Sequence, residues 1–270
     1  MAFKERIFMF HDYFQADDND GAEYGRSASL LNAMRDALAE LPLATEPGSP
    51  IDAVDRAFED APVLPSNLLR NAMDHALLDL CHVMGVVEQT DRPVSVAAVM
   101  ANVRTSLLSA SHLCYVTAPA DEHHRILHMG RLYALEVDSA KKFVKQLDGQ
   151  NVNVLPGLHP PPNSVVRRLA FYTNPYLPHP RSVSESVLLR HLKEHVLGPL
   201  LARLSVGTSH GELLVDHMFN TTSGAAHGYG WIDLDGVVCH FVLQFSLAVM
   251  VANVVFNDYL RALGQHPDSK

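Results

Sequence analysis

Apolar side chains recur at intervals of three and four residues along most of the chain, the spacing that places them on one face of an α-helix. Two proline-rich stretches, 42–65 and 150–181, interrupt this pattern and predict connections without regular structure. Between and beyond them, helices are predicted over the segments 27–41, 66–88, 95–117, 120–149, 184–204, 212–222 and 235–263.

The same pattern argues against a β-sheet, because no segment alternates β-branched and polar residues between two turns. We therefore expect an all-α protein, an antiparallel bundle of about seven or eight helices. A single domain over 1–270 accounts for the pattern. In it, the segment 150–181 forms a long surface loop between two helical halves.

The last predicted helix contains the most apolar segment of the chain. Residues 236–257 include no Asp, Glu, Lys or Arg, and these 22 residues are enough to span a bilayer. However, His240, Gln244 and Asn253 interrupt the segment, and no other helix resembles it. We expect a central helix that its neighbours bury, and no membrane partner. Because no long apolar run follows the first basic residues, we also expect a cytoplasmic protein without a secretory signal.

Charge and cysteine content narrow the expected partners and cofactors. The 270 residues include 21 Lys and Arg against 30 Asp and Glu, a net charge of −9, so nucleic acid is not an expected partner. The three cysteines lack the CxxC spacing of zinc sites and lie in apolar stretches. They are expected to be buried thiols in a reducing compartment. Nothing in the sequence predicts a cofactor or a metal.

One short motif combines groups that suit chemistry on phosphates. Arg70 is followed by Asn71 and, five residues on, by His75. An arginine can stabilise phosphate charge while a histidine moves protons. This RNxxxH motif resembles that of the HEPN (higher eukaryotes and prokaryotes nucleotide-binding) ribonucleases, and the resemblance implies an all-α, metal-independent enzyme. The alternative is that Arg70 pairs with Asp74 and His75 with Asp79, as ordinary helical neighbours.

Two other motifs lack the structural context that their chemistry requires. Residues 207–211 fit the G-x-S-x-G pattern around Ser209, and Asp233 and Asp235 resemble the first motif of haloacid-dehalogenase phosphatases. Both motifs need a β-sheet to present the nucleophile, and the chain predicts none. We expect that neither Ser209 nor Asp233 is a nucleophile.

The 16 histidines are numerous enough to consider a metal site. Three groups share a helix face: His75 with Asp79 and His82, His124 with His128, and His191 with His195. Imidazole and carboxylate together suit iron, manganese or zinc. The glutamates of di-iron bundles are missing, however, and surface histidines explain the pattern. The acidic run 17–20 is similarly expected to be solvated and to precede the first helix.

Two stretches together resemble a family of all-helical actinobacterial proteins to which no activity is assigned. One is the small-residue helix that begins at Arg104 and ends before Pro119. The other is the S-G-x-x-H-G-x-x-W signature, which includes Ser223, His227 and Trp231. The resemblance covers about 68–263 and implies a shared helical fold.

The candidate site follows from these residues. Small side chains beside His227 permit close approach of a ligand, so we predict a site at His227 with Ser223 and Arg104, and name Arg70 and His75 as further candidates. The alternative is a packed helix end with Gly228 as its cap. We expect a small-molecule enzyme or binder with a histidine-centred pocket between helices. The other hypotheses are a HEPN-like ribonuclease or defence component and a non-catalytic, homodimeric interaction protein.

Overall fold

A computed structural model describes residues 18–61, 63–88, 96–149, 182–203 and 234–265. Within these ranges the chain forms seven helices and no strand, which confirms the predicted all-α bundle. The helices are α1 (Asp18–Glu40), α2 (Pro50–Ala57), α3 (Pro65–Glu88), α4 (Val96–Thr117), α5 (Glu122–Gly149), α6 (Glu185–Leu192, continued by Lys193–Leu197 and Gly198–Arg203) and α7 (Leu234–Ala262). The predicted helix over 212–222 lies outside the described residues.

Two predictions near the start of the chain are wrong. Helix α1 begins at Asp18, so the described part of the acidic run 17–20 lies inside the first helix and not before it. The prediction that 42–65 is only a connector is also wrong, because it contains α2.

Two reciprocal side-chain hydrogen bonds cap the N-terminus of helix α2 and favour its formation. The Ser49 hydroxyl accepts a hydrogen bond from the backbone N–H of Asp52 at 3.2 Å, and Pro50 occupies the first helical position. In return, the Asp52 carboxylate accepts one from the backbone N–H of Gly48 at 2.8 Å. Ile51 and Val54 lie on the inner face of the helix, and both are fully buried.

Helix α7 lies at the centre of the bundle, where it packs against α1, α3 and α4. Most side chains over 244–263 are buried, including the fully buried Phe245, Val249 and Val255. One buried polar residue of this helix has its partner on α1, because the hydroxyls of Ser246 and Ser27 form a hydrogen bond of 2.9 Å. In the ranges described, no helix has a segment long and apolar enough to cross a membrane.

Helix α6 contains one widened, π-helical turn over Lys193–Leu197. Pro199 lies two residues after its end, and a proline ring clashes with the carbonyl four residues earlier in a regular α-helix. A wider turn relieves this clash, because the backbone N–H of Gly198 bonds to the Lys193 carbonyl five residues back. The turn places Val196 and Leu197 in the core.

Candidate functional site

The predicted site residues fall into two groups. Ser223 and His227 lie outside the described residues, as do Ser209, Asp233 and Trp231. The structure does describe Arg70, His75 and Arg104, and it places these three in different surroundings.

The Arg70 side chain caps the C-terminal end of α1 by hydrogen bonding to backbone carbonyls there. Its guanidinium donates hydrogen bonds to the carbonyls of Leu38 at 2.9 Å, Leu41 at 3.1 Å and Pro42 at 3.2 Å. The last carbonyls of a helix lack partners within the helix, and a cation there also complements the helix dipole. Asp74 is not among its described partners, so the predicted Arg70–Asp74 pair is wrong.

His75 lines a groove between α3, α4 and α5, with a cavity volume of about 340 Å³. Apolar side chains from α3 and α5 form most of its surface: Leu68, Leu69, Ala72, Met129, Leu132 and Leu135. Its polar lining residues are Asn71, His75, Ser109, His112 and Glu136. The groove thus combines an apolar surface with hydrogen-bonding groups, the usual composition of small-molecule sites.

His112 is a groove residue that no sequence motif predicts. Burial lowers its pKa, and the nearby carboxylate of Glu185 only partly opposes this effect. Its imidazole is therefore neutral at pH 7 and can both donate and accept a hydrogen bond. No spacing rule identifies His112, because its role depends on how α4 packs against α3.

Arg104 is tied to α6 instead of facing the groove. Its guanidinium donates to the carboxylate of Glu185, and the two side chains form an ion pair. Glu185 also acts electrostatically on His112, so Arg104 is connected to a groove residue through its partner Glu185. Among the three described candidates, only His75 lines the groove itself.

Asp79 lies four residues after His75 on α3. One carboxylate oxygen of Asp79 is buried without a hydrogen-bond partner, so that oxygen does not form the predicted pair with His75. Burial raises the pKa of Asp79, while His75 and His82 lower it. His75 and Asp79 are thus linked through charge.

A second group of aromatic side chains joins α4, α5 and α6. The His128 ring stacks on Tyr115 at 3.8 Å between centroids, and His191 meets both rings edge-on, at 5.2 Å from Tyr115 and 5.4 Å from His128. His195 follows at 4.3 Å from His191. The structure therefore brings together two histidine pairs that the sequence predicted on separate helices. We call these four residues the Tyr115 cluster.

Hydrogen bonds hold the His128 and Tyr115 rings of the cluster in place, whereas one ring nitrogen of His191 has no partner. His128 Nδ1 contacts the backbone carbonyl of Tyr115 at 2.5 Å, and Arg131 donates to the Tyr115 hydroxyl at 3.1 Å. The Nδ1 atom of His191 is buried without a hydrogen-bond partner. Burial, reinforced by the nearby His195 and His128, lowers the pKa of His191 to about 4.

This depressed pKa predicts that His191 makes the protein less stable in acid. The unfolded chain binds a proton at His191 near pH 6.5, whereas the folded protein does so only near pH 4. The contribution of the neutral ring is therefore complete above pH 6.5 and is lost as the pH falls toward 4. After allowance for solvent screening of a half-buried ring, we expect His191→Phe to reduce the stability lost between pH 7 and pH 4 by about 1–2 kcal/mol. Urea unfolding at both pH values measures this change.

The control for this experiment is His123→Phe. His123 is exposed on α5, so the same substitution there removes an imidazole in contact with solvent. Burial raises the pKa of Asp55, Asp79 and Asp258, which opposes acid destabilisation, but these carboxyl groups are common to both variants. Equal losses of stability in the two variants on acidification would contradict the prediction.

In the described ranges, no three His, Cys, Asp or Glu side chains are placed to hold a metal ion together. His124, one of the histidines considered above for a metal site, has a structural role together with Asp121. The Asp121 carboxylate accepts the backbone N–H of His124 at 2.9 Å and contacts its ring at 2.7 Å. Asp121 thus caps the first turn of α5.

No protein-family model, curated protein or solved structure is significantly similar to this chain.

Proposed function

We propose that the protein binds a small organic molecule in the groove between α3, α4 and α5, with His75 and His112 as its hydrogen-bonding partners. The observation that carries this proposal is the composition of the groove, a cavity of about 340 Å³ with apolar walls and two imidazoles. Such a site suits a ligand with an apolar body and one or two polar groups, because the walls bury the body while the rings orient the polar groups.

The uncharged state of His112 favours a ligand with a neutral hydroxyl or amide group. Burial keeps His112 uncharged at pH 7, so its ring can donate to one atom and accept from another. A neutral imidazole is also the state that accepts a proton, so the same groove would suit proton transfer in an enzyme. In this proposal Arg104 is a positioning residue, because its pairing with Glu185 limits the negative charge near His112.

The ribonuclease hypothesis receives less support. A HEPN-like pair would need Arg70 to face a phosphate, but three backbone carbonyls occupy its guanidinium. The net charge of −9 also opposes binding of nucleic acid. The proposal keeps a cytoplasmic location, which the free thiols of Cys81 and Cys114 support, and a homodimer as the alternative assembly.

The test uses 2-naphthol, which has an apolar ring system and one hydroxyl. We expect saturable binding by isothermal titration calorimetry, abolished in Ala72→Trp, where the indole would fill the groove. His75→Phe and His112→Phe should each weaken binding by about 3- to 10-fold, because each removes one hydrogen-bonding partner while keeping a ring.

The matched control is His82→Phe, an exposed position on α3 outside the groove lining. It should bind 2-naphthol as the wild type does, and circular dichroism should show that all four variants remain helical. Unchanged affinity in Ala72→Trp would show that the groove is not the binding site.

A further inference from the structure

A second cavity, of about 310 Å³, lies where five helices meet. It is surrounded by the start of α2, the end of α4, the first turn of α5, the π-helical turn of α6 and the last turns of α7. Its polar lining residues are Thr117, Arg125, His195, Asp258 and Arg261. None of them lines the groove between α3, α4 and α5, so this cavity, here called the Arg125 pocket, is a separate site.

Positive charge predominates in the Arg125 pocket, although the chain as a whole carries −9. Two guanidinium groups face one carboxylate. That carboxylate, of Asp258, accepts a hydrogen bond from Arg261 at 2.9 Å, so one arginine is already paired inside the pocket. No carboxylate in the described ranges forms an ion pair with Arg125, which leaves its charge uncompensated.

The Arg125 side chain is held in place yet keeps an unused donor. One of its terminal nitrogens donates to the backbone carbonyl of Ala120 at 2.9 Å, which orients the guanidinium. Its Nε atom is buried and has no hydrogen-bond partner. A buried donor without a partner costs free energy. The Arg125 guanidinium also lines the pocket, where its positive charge can hold an anion.

We propose that the Arg125 pocket binds the phosphate group of a small phosphorylated molecule, with Arg125, Arg261 and His195 as its ligands. These three groups come from three different helices, and a phosphate offers enough oxygens to meet them all, whereas a carboxylate offers only two. The cavity is larger than a phosphate group, which leaves room for a small organic substituent.

Asp258 gives this proposal an unusual prediction. Its carboxylate competes with the ligand for Arg261 and repels a phosphate dianion, so removing its charge should strengthen binding. Burial raises the pKa of Asp258, against the influence of Arg261 and His195, so its charged form is already poorly accommodated. A purely structural role of the Asp258–Arg261 pair would not produce a gain of affinity.

The test titrates phenyl phosphate into the full-length protein at constant ionic strength, followed by isothermal titration calorimetry. We expect Asp258→Asn to bind about 3- to 10-fold more tightly than the wild type, and Arg125→Gln to bind at least about tenfold more weakly. Benzoate, which carries a carboxylate in place of the phosphate, should bind more weakly than phenyl phosphate to the wild type.

Two control variants make the same changes of net charge elsewhere. Asp36→Asn changes an exposed residue of α1, and Arg56→Gln an exposed arginine of α2. Both should bind as the wild type does. If Asp258→Asn and Asp36→Asn have equal affinities, or if phenyl phosphate does not saturate the protein below about 10 mM, the phosphate site is wrong. Equal affinity for benzoate would overturn the assignment to phosphate.

Discussion

Phe245→Ala is expected to lower the free energy of unfolding by about 3–5 kcal/mol, because the ring is fully buried in the helix at the centre of the bundle. The ring centroid lies 5.4 Å from that of Tyr24 on α1, so its removal leaves a cavity between two helices that are far apart in sequence. Urea unfolding followed by circular dichroism at 222 nm measures the loss.

The comparison is with Leu78→Ala on α3, where the side chain is 54% exposed. This variant should lose less than about 1 kcal/mol, since exposed apolar side chains contribute little. A similarly small loss in Phe245→Ala would mean that α7 does not occupy the core. The experiment therefore distinguishes the buried-helix interpretation of 236–257 from a surface or membrane location.

Most helices could be predicted because each carries its own signal. Leu69, Met73 and Leu80 on α3, for example, recur at helical intervals, and all three are buried in the structure. Helix α2 differs, because its signal is local capping and not periodicity. Ser49, Pro50 and Asp52 form a recognisable helix start, whereas the prolines of 42–65 by themselves predict only a connector.

The candidate sites were less predictable, because they depend on contacts between helices. Spacing correctly suggested that His191 and His195 lie close together, but only packing shows that Tyr115 and His128 join them. Likewise, His112 and His75 line one groove because α4 packs against α3. Periodicity within one helix contains no information about which face of another helix it meets.

The role of Arg70 shows the same limit for a motif. Its spacing to His75 fits chemistry on phosphates, and the letters alone cannot indicate that its guanidinium reaches the end of α1. The deciding contacts connect residues about 30 positions apart in the chain. Because its guanidinium already bonds to backbone carbonyls, Arg70 is better explained as a residue that stabilises the fold than as a catalytic one.

Arg70→Ala is accordingly expected to lower the free energy of unfolding by about 2–3 kcal/mol. The substitution removes three hydrogen bonds from a charged donor to the carbonyls of Leu38, Leu41 and Pro42. Water replaces part of this interaction, so the loss is smaller than the sum of the three bonds. Urea unfolding at pH 7 measures it.

Arg70→Lys separates charge from geometry. A lysine keeps the cation near the end of α1 but cannot reach three carbonyls with a planar fork, so we expect about half of the loss seen for Arg70→Ala. Arg56→Ala, at an exposed arginine of α2, is the control and should change stability by less than about 0.5 kcal/mol. If Arg70→Ala were as stable as this control, the carbonyl contacts would contribute nothing measurable. Arg70 would then regain its place beside His75 as a candidate for chemistry on phosphates, because its guanidinium would be available to a ligand.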